Sequence, residues 1–232
     1  VGRVCCVLET ELCEYTIGPT RTSLSKKKAR LVFCNYDANL NPGPSPYPTS
    51  YKLKSIDYTL INHANLFSRE RLDIGTRLFL EQIPFSDVPL RIADLGCGNG
   101  VIGLVAAGRN PSAELYFVDE SFMAIAAAQT NFSAAFPDRA ATFAITDGLA
   151  DMPKSSLDLV LCNPPYHLQR TVDDATAWRM FRQAHTALKK NGALWIVGNR
   201  HLGYHSKLKR LFGRCITIAY NHKFITLKVT KH

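Results

Sequence analysis

Arg91-Ile92-Ala93-Asp94-Leu95-Gly96-Cys97-Gly98-Asn99-Gly100 decides how this chain is read. Its first five residues are a short apolar run holding one acid, the pattern of a buried strand in a parallel sheet covered on both faces. Three alternating glycines follow at once and lead into Val101-Ile102-Gly103-Leu104, a helical start. Glycine at 96, 98 and 100 lets the backbone turn tightly and come within contact distance of a ligand. Strand, glycine loop and helix in that order make the cofactor corner of an open α/β sheet. Asp94, just before the loop, is placed to order it or to reach a cationic amino group. Gly98, Gly100 and Gly103 also satisfy G-x-G-x-x-G, which keeps a nicotinamide-dependent oxidoreductase in view. That register needs a strand reaching three residues beyond Leu95, whereas D-x-G-x-G-x-G sits directly on the strand's end.

Beyond residue 90, strand-like segments near 91–95, 114–118, 141–145, 157–162 and 193–198 alternate with helix-like segments near 100–109, 121–135 and 173–190. Such alternation predicts a parallel doubly wound sheet with right-handed crossovers. A last helix near 203–212 and two strands, 214–220 and 223–230, joined by Asn221-His222, close it. Two acids fall where an adenosine needs them. Asp119 ends the strand Leu115-Tyr116-Phe117-Val118, where a carboxylate accepts from both ribose hydroxyls. Asp147 follows Ala144-Ile145-Thr146 and is positioned for an adenine amino group. Alone, either acid would be read as a helix cap or a solvated charge.

The run Leu157-Asp158-Leu159-Val160-Leu161-Cys162 predicts a central strand, and Asn163-Pro164-Pro165-Tyr166-His167 ends it abruptly. Neither proline donates to a ladder, and Pro164 pushes Asn163 toward an extended conformation. An exocyclic amino group on a nucleobase is a poor nucleophile because its lone pair is delocalised into the ring. The Asn163 side-chain carbonyl and the Pro164 backbone carbonyl, which has no N–H beside it at Pro165, can both accept from such a group. Together they aim its lone pair, while Tyr166 offers a face for stacking. His167 is a candidate proton relay, though a rim or structural role is the plainer reading.

The 232 residues, 46% hydrophobic and 20% charged, suffice for one sizeable core with an appendage. A net charge of +9 points toward a polyanionic partner. No apolar run approaches the length of a membrane span, and Val1-Gly2-Arg3-Val4-Cys5-Cys6 does not begin a signal peptide. Its first residues read instead as the tail of an earlier element, so a piece of a longer protein is expected. Seven cysteines without a C-x-x-C pair argue against a disulfide framework and a metal site, and for a reducing cytoplasm. Cys162 is expected to be a small apolar filler.

Residues 1–50 read as the end of a preceding domain plus a linker, with Leu31 to Tyr36 as one candidate strand. Arg21, Lys26, Lys27, Lys28 and Arg30 form a basic cluster, and Asn41 to Pro48 is a proline-rich spacer. A catalytic domain is expected over 51–232. Lys52 to Ile61 alternates as one or two strands, Asn62 to Arg69 is a loop, and Asp73 caps a helix through about Gln82. Phe67 is read first as ordinary core and, in the sharper reading, as a lid over a cofactor or a base.

Asp94-Leu95-Gly96-Cys97-Gly98-Asn99-Gly100 together with Asn163-Pro164-Pro165-Tyr166 resembles the S-adenosylmethionine-dependent methyltransferases that act on an exocyclic or amide nitrogen. Three stretches, Asn62 to Gly75, Ala177 to Phe181 and Val197 to Tyr204, resemble more closely the ribosomal RNA guanine-N2 methyltransferases. Asn62-His63-Ala64-Asn65 and Asn199-Arg200-His201-Leu202 favour the large-subunit members. The resemblance implies an α/β fold with the Rossmann-like seven-stranded class I methyltransferase sheet, closed by an antiparallel hairpin. It implies S-adenosylmethionine on Asp94, Gly96, Cys97, Gly98, Asn99, Gly100, Asp119, Asp147, Asn163 and Phe67, with Asn163, Pro164, Pro165 and Tyr166 at the chemistry. It also implies ribosomal RNA as partner and no membrane or metal. Tyr166 stands where phenylalanine is common, which preserves stacking. Adenine N6 of DNA or RNA and protein glutamine also suit the tetrapeptide, and a catalytically silent RNA-binding module would be expected to have lost one of the two motifs. Arg200, His201, Lys207, Lys209 and Arg210 are expected to face phosphate.

Overall fold

The structure, a computed structural model, describes residues 10–26, 29–53, 57–165 and 171–232. The chain divides into two compact units, Val1–Pro46 and Tyr47–His232. In the first, a helical stretch over 10–16 precedes β1 (Thr20–Thr22), antiparallel to β2 (Val32–Cys34). The Arg21 guanidinium lies over the Phe33 ring at 5.1 Å. Lys27 and Lys28 of the basic cluster, and the opening residues Val1 to Cys6, lie outside the described residues.

The second unit opens with the antiparallel pair β3 (Thr49–Leu53) and β4 (Tyr58–Asn62). Helix α1 (Ile74–Leu80) follows, its first turn capped by Asp73, whose carboxylate accepts from the Thr76 N–H at 2.9 Å. The main sheet comprises β5 (Arg91–Leu95), β6 (Glu114–Asp119), β7 (Thr142–Ile145), β8 (Leu157–Cys162), β9 (Leu188–Asn199), β10 (Cys215–Tyr220) and β11 (Phe224–Thr230). Their order is β10-β11-β9-β8-β5-β6-β7, with β11 antiparallel to both neighbours and parallel pairing from β9 through β7. This is the seven-stranded arrangement with a closing hairpin that the resemblance implied.

Helices α2 (Val101–Arg109), α3 (Phe122–Ala135), α4 (Thr171–Ala187) and α5 (Tyr204–Phe212) cover the sheet. Successive strand residues point to opposite faces. Thus Ile92, Leu159, Leu161, Trp195 and Val197 pack with α1, α2 and α3, while Ala93, Leu95, Val160, Cys162, Leu194 and Ile196 pack with α4 and α5. Cys162 is fully buried as an apolar filler, and the five described cysteines are free.

One boundary departs from the sequence pattern, which carried the helix to 190 and began the strand at 193. The helix ends at Ala187 and β9 starts at Leu188. Leu188 pairs with Leu157, after which the register jumps so that Ala193 faces Leu159. Asn191 takes φ 66° within the intervening polar residues. That bulge masks the strand in the sequence.

The strands are tied at their amino ends. The Arg91 backbone N–H donates to Asp158 Oδ2 at 2.8 Å, its Nε to Glu114 Oε2 at 3.1 Å, and Lys189 Nζ meets Asp158 Oδ1 at 2.8 Å. At the other end Leu95 is level with Cys162 in β8 and with Val118 in β6. Gly96, Asp119 and Asn163 therefore leave the sheet side by side.

Asp94 is wholly buried. Its Oδ2 accepts from the Gly103 N–H at 2.8 Å, and its Oδ1 has no partner among the described residues. Burial, with a smaller push from the Asp119 charge, raises its carboxyl to about 8, so it is largely protonated at neutral pH. Gly103 lets α2 lie directly on β6, because a Cβ there would fall 2.2 Å from Phe117 Cε1.

Two outcomes follow from this packing. Gly103→Ala should lower stability by about 1–3 kcal/mol in urea denaturation, and a loss near zero would mean that the Phe117 ring swings aside freely. Asp94→Asn should change the pH dependence of folding. The unfolded carboxyl releases its proton near 3.8 and the folded one near 8, so native Asp94 becomes increasingly unfavourable as pH rises between those values. The stability of Asp94→Asn relative to wild type should rise across that window in thermal melts, and a pH-independent difference would refute the assignment.

Candidate active site

A cavity of about 540 Å³ opens at the carboxyl ends of β5, β6 and β8, within the roughly 300–1,000 Å³ of small-molecule and cofactor sites. Gly96, Gly98 and Gly100 adopt φ of 72°, 54° and 81°, which side chains rarely accept. The Gly96 and Cys97 N–H groups donate to the Val118 carbonyl at 2.8 and 3.1 Å, anchoring the loop to β6. A Cβ on Gly98 would meet nothing within 4 Å, so this turn presents bare backbone to open space.

Asp119 stands opposite. Its Oδ2 accepts from the Gly98 N–H at 3.0 Å and its Oδ1 from the Ser121 N–H at 2.9 Å. A carboxylate has about four acceptor positions, so two remain for a ligand's hydroxyls. Asp147 lies two residues past β7 on the rim. It pairs with Arg179 Nη2 at 2.9 Å, its carbonyl accepts from Gln183 Nε2 at 2.9 Å, and it lines the cavity. Both partners of that pair are about half exposed, so the pair orders the rim and adds little stability.

Cys97 and Asn99 line the cavity but direct their side chains elsewhere. The Cys97 thiol is buried. Burial first, then the charges of Asp94 and Asp119, raise it well above the ordinary thiol range, which excludes it as a nucleophile at neutral pH. Asn99 Nδ2 donates to Asn62 Oδ1 at 2.8 Å and to the Tyr51 hydroxyl at 3.4 Å. Asn131 Nδ2 donates to the Asn99 carbonyl and to the Ile61 carbonyl, both at 2.9 Å, while Asn131 Oδ1 accepts from the Ile61 N–H at 2.7 Å. The Asn99 amide thus latches the β3–β4 pair onto the glycine loop.

Phe67 is 56% exposed and lines the cavity, so the reading as ordinary core fails. Leu66 takes the buried place against Ala124 and Ala127 of α3.

Asn163 closes the far end. Its Nδ2 donates to Thr76 Oγ1 at 3.0 Å, and its Oδ1 is enclosed with no partner among the described residues. Pro164 is buried and Pro165 exposed, both lining the cavity. Tyr166 and His167 lie outside the described residues. Thr76 and Asn131 were not singled out from the sequence, and Asn62, Arg69, Arg179 and Met180 entered only within stretches that carry the resemblance, without a part at the site. Asp73 signalled a helix cap but not where the Thr76 hydroxyl would point.

Asp119 keeps free acceptor positions beside the glycine loop, and Asn163 Oδ1 is an acceptor without a partner among the described residues. Among the described residues no group of three His, Cys, Asp or Glu is placed to hold a metal ion, and no helix is long and apolar enough to cross a membrane.

Comparison with known proteins extends this geometry. The family model described as methyltransferase small domain matches residues 57–228. A protein named ribosomal RNA large subunit methyltransferase G from Pseudomonas aeruginosa (strain UCBPP-PA14) is 57% identical over 222 residues, which are 95% of this chain and 59% of that protein. The protein of the same name from Ectopseudomonas mendocina (strain ymp) is 54% identical over 221 residues, with the same coverage. The chain therefore spans 59% of the length of these curated relatives. Among solved structures, the T. thermophilus 16S rRNA N2 methyltransferase (RsmC) in complex with AdoMet and guanosine aligns with a TM-score of 0.76 at 20% identity. That alignment covers 96% of this chain and 60% of the other, and it speaks to the fold alone. Since the family match runs from β4 through the glycine loop and the Asn163 corner into the closing hairpin, this chain belongs to the methyltransferase small domain family.

Proposed function

We propose that this chain transfers a methyl group from S-adenosylmethionine to the exocyclic N2 amine of a guanine in ribosomal RNA, that of the large subunit. The observation that carries the reading is the enclosed, unpaired Asn163 Oδ1 at one end of a cavity whose other end is the glycine loop and Asp119. A buried acceptor without a donor is costly, about 1–3 kcal/mol, and a ligand amine relieves that cost. The names of the relatives support the large-subunit substrate, and the T. thermophilus protein of the same fold, an N2 methyltransferase in complex with AdoMet and guanosine, is in keeping with the N2 position and the cofactor.

The residues present suit the cofactor. Gly98 offers bare backbone beside open space, Asp119 retains two acceptor positions, and Asp147 and Phe67 line the same cavity. Bound there, S-adenosylmethionine supplies a methyl group already activated on a positively charged sulfur. The chain's own work is alignment. Asn163 Oδ1 and the Pro164 carbonyl accept the amine protons, so that the nitrogen lone pair is directed along the cavity, and the proton released leaves to water.

The guanine reaches the site by leaving its stack, as bases modified on exocyclic atoms must. Phosphate contacts fall to exposed basic residues at the same sheet edge, Arg200, His201 and Lys223, and to α5. Arg200 lies over Tyr220 at 5.5 Å and Arg210 over Trp178 at 4.8 Å, which holds both guanidinium groups in place. The cytoplasm, where ribosomal RNA is assembled in bacteria, is the compartment this activity requires.

Asp119→Ala should weaken S-adenosylmethionine binding by about 1.5–3 kcal/mol in calorimetry, and an unchanged dissociation constant would remove Asp119 from the site. Asn163→Ala should keep cofactor affinity within about twofold while transfer to unmethylated ribosomal RNA falls on the order of a hundredfold. Nucleoside analysis of the product decides the substrate: N2-methylguanosine is expected, and N6-methyladenine would replace this reading.

A further inference from the structure

We infer that Asp73 and Thr76 are positioning residues for the acceptor amide: a hydrogen-bond relay from the first turn of α1 sets which end of Asn163 faces the cavity. An asparagine amide has a donor end and an acceptor end of nearly equal shape, so packing alone does not choose between them. Here the choice is made by a hydroxyl. Thr76 Oγ1 accepts from Asn163 Nδ2 at 3.0 Å and gives its own proton to Asp73 Oδ2 at 3.4 Å. The same Asp73 oxygen accepts the Thr76 N–H at 2.9 Å, so a single carboxylate caps the turn and takes the hydroxyl proton. With that proton engaged, Thr76 offers Asn163 only lone pairs. The amide must then present nitrogen to Thr76 and turn its oxygen away from it; Oδ1 is enclosed without a partner among the described residues, in a residue that lines the cavity.

Rotated the other way, the amide would place its NH2 in the cavity, facing the protons of a substrate amine, and the clamp would repel what it must hold. Thr76 is 5% exposed, which limits the access of water to the hydroxyl. The turn is held against the sheet by close packing: a Cβ on Gly75 would fall 2.6 Å from Phe224 Cδ1 in β11. The stretch Asp73-Ile74-Gly75-Thr76 thus works as a unit in which cap, close approach and hydroxyl each have a stated part. Because Oδ1 is fixed as an acceptor, the site favours reacting atoms that carry N–H and disfavours ring nitrogens and oxygens that carry only lone pairs.

This inference rests on the proposed amine methylation, and its test separates the two. Single-turnover transfer to ribosomal RNA lacking the modification would be compared for wild type, Thr76→Val, Thr76→Ser and Asn163→Ala, with cofactor and RNA affinities measured alongside. Valine keeps the shape of threonine and removes the hydroxyl. We expect Thr76→Val to slow transfer about tenfold or more with both affinities within about twofold, and Thr76→Ser to recover most of the rate. Thr76→Val should add nothing in an Asn163→Ala background, because the relay acts only through that amide. A wild-type rate in Thr76→Val, or full additivity with Asn163→Ala, would overturn the inference. If wild type methylates no guanine, the functional reading fails, and the relay is then tested by the side-chain amide resonances of Asn163. Slow hydrogen exchange that becomes fast in Thr76→Val supports the relay, and unchanged exchange refutes it.

Discussion

The parallel pairing of β5 with β8, in the register that sets Leu95 beside Cys162, is the constraint on which this molecule depends. Strand side chains alternate faces, so a slip of one residue would turn Asn163 away from Thr76 and toward the α4 face. The neighbouring register, Leu95 beside Val118, does the same for Asp119. Three strands in phase therefore bring a turn of bare backbone, a carboxylate and an amide to one level, though they are far apart in the chain. No long side chain has to reach across the sheet to assemble the site.

The walls above that level come from segments outside the sheet, and polar contacts hold them there. Asn62, Asn99 and Asn131 are each buried, and their amides join β4, the glycine loop and α3. A buried hydrogen bond adds only about 0.5–1.5 kcal/mol net, but leaving one partner unmatched costs about 1–3 kcal/mol. The three asparagines thus restrict the hairpin to one seating more strongly than they stabilise it. Apolar contacts such as Leu66 against Ala124 and Ala127 then fill the remaining gap.

Much of this was readable in the residues. The strands β5, β6 and β8 carry compact apolar runs, and glycine and proline mark their ends, so both the glycine loop and the Asn163 corner could be placed by local chemistry. The cap by Asp73 and the closing hairpin at Asn221-His222 were legible for the same reason. What could not be read was set by partners distant in the chain. Phe67 and Leu66 are adjacent apolar residues, and only the position of α3 determines which is buried. Asn99 was expected at the cofactor and does line the cavity, but the latch made by its amide could not be read, because nothing local to 99 announces Asn62 or Asn131. The start of β9 was hidden because Leu188 is followed by polar residues that bulge out of the ladder. Nothing local to Thr76 announces Asn163, whose amide lies at its hydroxyl.

The ties at the amino ends of the strands have a consequence for how such a chain can change. Arg91, Glu114, Asp158 and Lys189 join β5, β6, β8 and the start of β9 through polar contacts at the edge remote from the cavity. They act as a ruler whose zero lies at the amino edge: once those ends are level, the opposite ends are level too, whatever residues occupy them. Alignment and chemistry are thereby written in separate places on the same strands. Residues at the carboxyl edge can then be exchanged, and the ligands they accept altered, while the sheet keeps its phase. A fold organised in this way can acquire new acceptors through changes to its loops alone, with the framework inherited intact.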